Sequence, residues 1–399
     1  MKVRIQPTKL SGEVIAPPSK SLSHRLLIGA ALCDGISEIN NIAYSKDVEA
    51  TIDCLRKLGA DIKTNNDVVT IDGHNFLKNI NGELDCNESG STLRFLIPFG
   101  FLNNNHLIFK GSKRLLERPQ DVYETLAKEN NFLFKNDGKQ LEVSGNLKAK
   151  EYSVLGNISS QFITGLIFAL STLKEKSVIN IIPPIESKSY IDLTLLSLNY
   201  FGIITEMIEN KIEIGECTYK PYKGSVEGDE SNAAFLDAYN LLGGNVKVLG
   251  LNRDTLQGDR VYHEYFKLLK SGCVALDIAD CPDLGPILMA LGSVLNGVKL
   301  LNTKRLKAKE CDRGLAMKEE LEKMGASVEV KDNKIIVVPS KLNIKDVSFD
   351  SHNDHRVVMA LSVVCSLIGG TIENSEAVSK SYPDYFDRIK QLKGKVEIR

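Results

Sequence analysis

One short pattern recurs six times along the chain, and no other property of the sequence limits the fold as strongly. It is an apolar helical stretch, a turn rich in Gly, Asn or Lys, and a β-branched strand, at residues 22–39, 92–109, 161–179, 231–248, 284–300 and 355–372. A second piece alternates with it. An amphipathic helix ends near a Gly and leads into a strand, at 48–62, 193–207, 262–276, 316–330 and 384–398, with a copy lacking the Gly at 122–136. Polar turns such as Asn65-Asn66-Asp67 and Asp332-Asn333 then signal hairpins. The unit reads β-α-β-α-β-β, about 65 residues long and repeated six times.

A chain of 399 residues exceeds one ordinary core. Six units therefore divide as three per domain. The first-type helices, such as 166–173, are apolar all round, so each domain is expected to hold its helices inside and its sheets outside. A solenoid would instead show atypical capping repeats, and none is visible. Pro17-Pro18-Ser19 and Tyr222-Lys223-Gly224 read as two crossings between domains. Residues 1–18 with 224–399 would form one domain and 19–223 the other.

Composition excludes several classes. The formal net charge is −1, so no global field favours nucleic acid or a membrane surface. No apolar run is long enough to span a bilayer. The alternating start Met1-Lys2-Val3-Arg4-Ile5 lacks a signal-peptide core. Eight cysteines stand without a C-x-x-C pair or zinc spacing, which suits free thiols in a reducing cytosol. A cytoplasmic, monomeric enzyme without metal or cofactor is the expectation.

The residues before the apolar helices carry the functional signal. They read Ser19-Lys20-Ser21, Glu88-Ser89-Gly90-Ser91, Ser159-Ser160-Gln161, Asp229-Glu230-Ser231, Pro282-Asp283 and Asn353-Asp354-His355-Arg356. Helix capping accounts for many of them, and at Asp229 and Asp283 it outweighs catalysis about two to one. It does not account for Lys20, Arg25, Arg94 and Arg356, cations that oppose the helix dipole unless an anion binds there. Gly90 permits close backbone approach to such a ligand. Loops before the second-type helices add Asp47, Arg118, Ser187, Lys188, Tyr190, Lys309, Glu310, Arg313 and Lys380. A ligand with several negative charges is the reading these residues support.

These motifs resemble the 3-phosphoshikimate 1-carboxyvinyltransferase (EPSP synthase) family, in order and from end to end. They are PPSKSLSHR (17–25), NESGSTLRF (87–95), LLERP (115–119), ISSQF (158–162), SKSYID (187–192), VEGDES (226–231), CPDLGP (281–286), LKAKECDRG (306–314), NDHR (353–356) and YPDYF (382–386). Glu88, Ser91 and Cys311 depart from the family's usual residues, and 128–134 lacks its Leu-Gly-Ala. The alternative is UDP-N-acetylglucosamine 1-carboxyvinyltransferase. That family typically carries a reactive Cys in the loop that here reads 111–117 without one, and Lys-Asn where this chain has Lys20-Ser21.

The resemblance implies an α/β fold, a two-domain inside-out α/β barrel of six repeats, with the active site in the interdomain cleft. It implies phosphoenolpyruvate and shikimate 3-phosphate as substrates. Asp283 would act as base toward the 5-hydroxyl and Glu310 as proton shuttle near C3, with Lys20 beside both substrates. Phosphoenolpyruvate would be held by Lys20, Gly90, Arg118, Gln161, Arg313, Arg356 and Lys380. Shikimate 3-phosphate would be held by Lys20, Ser21, Arg25, Ser159, Ser160, Gln161, Ser187, Tyr190, Asp283 and Lys309. His355 would either tune phosphate release or serve structure alone. Neither half-site alone neutralises both anions, so closure of the domains is expected.

Overall fold

Hydrophobic periodicity and capping place thirteen α-helices among the described residues. They occur in a computed structural model that describes residues 1–78 and 80–399. The chain divides into two compact units, Pro18–Glu227 (the middle unit) and Met1–Pro17 with Gly228–Arg399 (the terminal unit). The middle unit holds α1 (Lys20–Ala31), α2 (Lys46–Lys57), α3 (Gly90–Gly100), α4 (Lys113–Glu117), α5 (Asp121–Asn130), α6 (Ser160–Leu170) and α7 (Lys188–Tyr200). The terminal unit holds α8 (Glu230–Leu241), α9 (Tyr262–Ser271), α10 (Gly285–Val294), α11 (Arg313–Lys323), α12 (His355–Ile368) and α13 (Tyr385–Gln391).

Each unit has its own hydrophobic core. The apolar helices lie inside it, and α6 buries every residue from Phe162 to Leu170. Among the described residues the strands form six sheets, three per unit. Five share one plan. In the second repeat Asn81–Asp85 runs parallel to His106–Lys110, which pairs antiparallel with Leu141–Ser144, which pairs antiparallel with Leu133–Asn136. Strand residues alternate between the core and the outer face, the period-two signature of a sheet covered on one side. Each sheet is an open row of strands around the helices, and none of the six closes on itself. The word barrel therefore describes the layering and not a closed strand ring.

Strands far apart in sequence complete two of the sheets. Lys223–Ser225 pairs with Ile36–Asn40, so the second crossing lies at Glu227/Gly228 and not at Tyr222–Gly224. Val3–Gln6 pairs with Gly370–Glu373 and Lys395–Ile398, tying the two chain ends together.

The fourth repeat corrects the expectation of six equal units. The six apolar helices begin at 20, 90, 160, 230, 285 and 355, so successive spacings are 70, 70, 70, 55 and 70. The short interval has no room for the hairpin. Val274–Asp277 follows α9 as expected, but it pairs parallel with Val298–Leu301 and opens the fifth sheet. The fourth sheet keeps only Ser11–Ile15 and Asn245–Leu249. The Asn240 side chain occupies part of the vacant edge, donating to the Val246 carbonyl (2.8 Å) and accepting from its N–H (2.6 Å). A smaller substitution occurs in the second repeat. Asn131 takes the left-handed conformation (φ 56°) after α5, where Gly325 does so after α11.

Candidate active site

The middle unit gathers its predicted residues at the starts of α1, α3, α6 and α7. Ser19, Ser89 and Ser159 cap their helices with their own hydroxyls. Lys20 pairs with Asp47 at 2.8 Å, both side chains nearly buried. Arg25 is 2% exposed, and its hydrogen bonds run to the Thr194 and Thr164 hydroxyls (2.9 and 3.3 Å) and the Ser21 and Tyr190 carbonyls (2.7 and 2.9 Å). All four partners are neutral. Burial pushes its guanidinium down to about 10. A cation so placed is stabilised by an incoming anion.

Arg94, over the Phe162 ring, donates to the Gln161 amide oxygen and the Pro119 carbonyl, each at 2.8 Å. Gln161 in turn donates to the Ser91 hydroxyl at 3.0 Å. Arg118 lies against Gly90 so closely that a methyl group there would overlap its guanidinium. A side chain at position 90 would have to displace that guanidinium. Ser187 is fully buried in the left-handed region (φ 57°), and its carbonyl accepts from the Tyr190 N–H. Ser160 and Ser159 are buried in the same segment, while Ser21 and Tyr190 are half-buried.

In the terminal unit the predicted residues converge on one guanidinium. Arg313, 1% exposed, reaches Asp283 (2.7 Å), Glu310 (2.9 Å) and Asp354 (2.8 Å). Asp283 also meets Lys309 at 2.9 Å and Arg356 at 3.5 Å. Burial works to raise the Asp283 carboxyl, but Lys309, Arg313 and Arg356 outweigh it and hold it well below the usual carboxylate range. The same burial lowers the Lys309 ammonium against the pull of Asp283. Arg356 donates to the Asn232 amide oxygen at 2.9 Å and lies over Phe235. Lys380 is buried, donating to the Asn353 carbonyl at 2.6 Å. His355 is 1% exposed. Cys311 is a thiol raised by burial, 3.7 Å from Asp354.

Sequence reasoning singled out the cations but not what positions them. Asp354 caps α12 and grips Arg313, and Asn232 orients Arg356 from 124 residues away. The capping pattern before α12 marked Asp354, whereas nothing local marks Asn232. One group of three residues among those described has metal-ligand geometry, Glu319, Glu320 and His352. Lys323 occupies both Glu320 oxygens (2.7 and 2.9 Å), with Asp350 N–H and His352 as further partners. That arrangement is an ion-pair network. Among the described residues no helix is long and apolar enough to cross a membrane.

Buried cations and paired carboxylates at helix starts, on a repeated α/β scaffold, define an enzyme class that handles small polyanions. Solved structures share the scaffold. The chain matches an EPSP synthase from Acinetobacter baumannii with a TM-score of 0.78, at 20% identity over 100% of both chains. It matches an enolpyruvyl transferase from Streptomyces tendae with a TM-score of 0.77, at 13% identity over 99% of this chain and 98% of that one. These likenesses concern the fold. Sequence carries the assignment further. A sequence model of EPSP synthase (3-phosphoshikimate 1-carboxyvinyltransferase) matches residues 5–389. The 3-phosphoshikimate 1-carboxyvinyltransferases of Clostridium kluyveri and Clostridioides difficile are each 39% identical over 99% of this chain and 98% of their own. The chain belongs to the EPSP synthase family, the enolpyruvyl transferases of the shikimate pathway.

Proposed function

We propose that the protein moves the enolpyruvyl group of phosphoenolpyruvate to the 5-hydroxyl of shikimate 3-phosphate, with the following division of labour. The acceptor oxygen adds to C2 of phosphoenolpyruvate while C3 gains a proton. A tetrahedral ketal forms. Phosphate then leaves as a proton departs from C3, giving 5-enolpyruvylshikimate 3-phosphate. Asp283 accepts the hydroxyl proton and Glu310 exchanges the proton at C3. Lys20 sits beside both substrates. Arg118, Gln161, Arg313, Arg356, Lys380 and the Gly90 backbone hold phosphoenolpyruvate, whose phosphate and carboxylate suit guanidinium geometry. Arg25, Ser21, Ser159, Ser160, Gln161, Ser187, Tyr190 and Lys309 hold the acceptor. The reading requires both units to deliver their residues to one pair of substrates, as two domains that close. It also takes the working form as a cytoplasmic monomer.

The observation that carries the reading is Arg313, which binds Asp283 and Glu310 at once. The two acid–base groups therefore lie within the span of one small substrate. A base paired with three cations is weak. Substrate anions that draw those cations away would raise its basicity where the hydroxyl binds. The test is phosphate release from phosphoenolpyruvate with each acceptor offered alone. Release with shikimate 3-phosphate and none with UDP-N-acetylglucosamine is expected. The reverse pattern would move the protein to the UDP-sugar enzymes. Gel filtration at micromolar concentration checks the monomer.

A further inference from the structure

The turn that leads into α12 is held in a backbone form that its residues disfavour. His352 (φ 49°) and Asn353 (φ 55°) both lie in the left-handed region, two non-glycine residues in succession. A hydrogen bond at every backbone N–H from Asp350 to Asp354 keeps them there. The acceptors, in order, are a Glu320 oxygen (2.9 Å), the Glu373 carbonyl (3.2 Å), the Asp350 carboxylate (2.5 Å), the Ser351 hydroxyl (3.2 Å) and the Ser351 carbonyl (3.0 Å).

One side chain of the turn reaches the helix that carries Arg313. His352 Nε2 lies 2.8 Å from Glu320 Oε1, and Glu320 is fully buried on α11, two turns after Arg313. Lys323 and the Asp350 N–H also donate to Glu320, so its side chain is an acceptor and His352 Nε2–H donates. Glu319 lies 4.0 Å from the same nitrogen. The turn is thus tied to α11 twice, by Asp354 to Arg313 and by His352 to Glu320. It also presents groups to the site. The Asn353 carbonyl accepts from Lys380 at 2.6 Å, and Asp354 holds Arg313 at 2.8 Å while capping α12 through the Arg356 N–H. A return of His352 and Asn353 to ordinary backbone angles would turn that carbonyl away from Lys380 and swing Asp354 with it.

We propose that His352 is a positioning residue, whose bond to Glu320 holds the Asn353 carbonyl on Lys380 and Asp354 on Arg313 and so sets the phosphoenolpyruvate side of the site. His352 touches no substrate in this role and moves no proton. The link to phosphoenolpyruvate rests on the function proposed above, whereas the tie between the turn and α11 does not.

The test compares His352→Leu with His352→Gln in the full chain. Leucine removes the donor but tolerates the backbone, since Leu77 and Leu342 adopt the same left-handed form. Glutamine places an N–H donor at the same number of bonds from the backbone as His352 Nε2. Hydrogen–deuterium exchange read by mass spectrometry should speed up about tenfold or more across 350–354 in the Leu variant, because those amides lose their fixed acceptors. In phosphate-release assays KM for phosphoenolpyruvate should rise roughly tenfold, the loss of one charge-assisted contact, with KM for shikimate 3-phosphate nearly unchanged. His352→Gln should restore both readouts. Unchanged exchange in the Leu variant overturns the proposal. So does faster exchange with both KM values unmoved or raised alike, the mark of a role in folding alone, or a Gln variant as impaired as the Leu one. His352→Ala takes the place of the Leu variant if that one folds poorly. Wild-type protein without acceptor-dependent release would strike only the functional reading, and the exchange rates would still test the tie.

Discussion

Arg25 in the middle unit and Arg313 in the terminal unit are both buried, yet they are held by opposite chemistry. Arg25 has hydroxyls and carbonyls around it, and its charge is left uncompensated. Arg313 has three carboxylates, which raise its pKa against the cost of burial. The difference separates two tasks. An uncompensated cation destabilises the empty protein and makes an arriving anion favourable. A compensated one fixes the side chains around it, here Asp283 and Glu310, in one arrangement. On the function proposed above, the middle unit serves as an anion receptor and the terminal unit as a frame for the acid–base groups.

Replacing Glu310, the frame group proposed to exchange the proton at C3, should have the largest effect. Glu310→Gln keeps a hydrogen-bond acceptor for Arg313 but cannot exchange a proton. Turnover should drop on the order of a hundred- to ten-thousandfold, with substrate binding by calorimetry nearly unchanged. Equal losses in binding and turnover would move Glu310 into the receptor class. Next comes the frame itself. Arg313→Met leaves Asp354 without its main partner and Asp283 with only Lys309 and Arg356, and should cost about 3–5 kcal/mol in urea unfolding. The sign with pH follows from Asp283, whose folded pKa is depressed. Its contribution is present above the unfolded value of about 4 and is lost as the pH falls through the lower folded value. The stability gap between wild type and variant should therefore narrow below about pH 4.

Arg25→Met probes the receptor side. Its folded pKa, about 10, lies below the unfolded value near 12.5, so the charge costs stability throughout the range below 10. The variant should lose little stability, while KM for shikimate 3-phosphate rises roughly 10- to 100-fold, the loss of a charge-assisted contact. Severe unfolding instead would place Arg25 with Arg313. Gly90→Ala should be the mildest. Its methyl group displaces Arg118, raising KM for phosphoenolpyruvate several-fold with kcat less affected.

The helix-strand repeat was legible because it rests on local rules. Apolar period, cap residues and turn residues act over a few positions, and they recur every 70 residues in this chain. The truncated fourth unit was written in the same spacing, as 55 residues between α8 and α10. What replaces its hairpin was not. The Asn240 amide serves a strand edge only because the fold brings Val246 beside it. The same limit applies at the site. The cations before the helices were visible in the sequence as charges in positions that the helix dipole disfavours. Their partners were not, since Lys20 meets Asp47 across 27 residues and Arg25 meets Thr164 across 139. Sequence alone determined the repeated elements, the family and the set of charged residues, because propensity, periodicity and motif order are properties of neighbouring positions. Tertiary structure decided which charges are neutralised and which await a ligand. Burial and partner distance arise only when distant segments pack, and those two quantities set the free energy of a charge inside a protein.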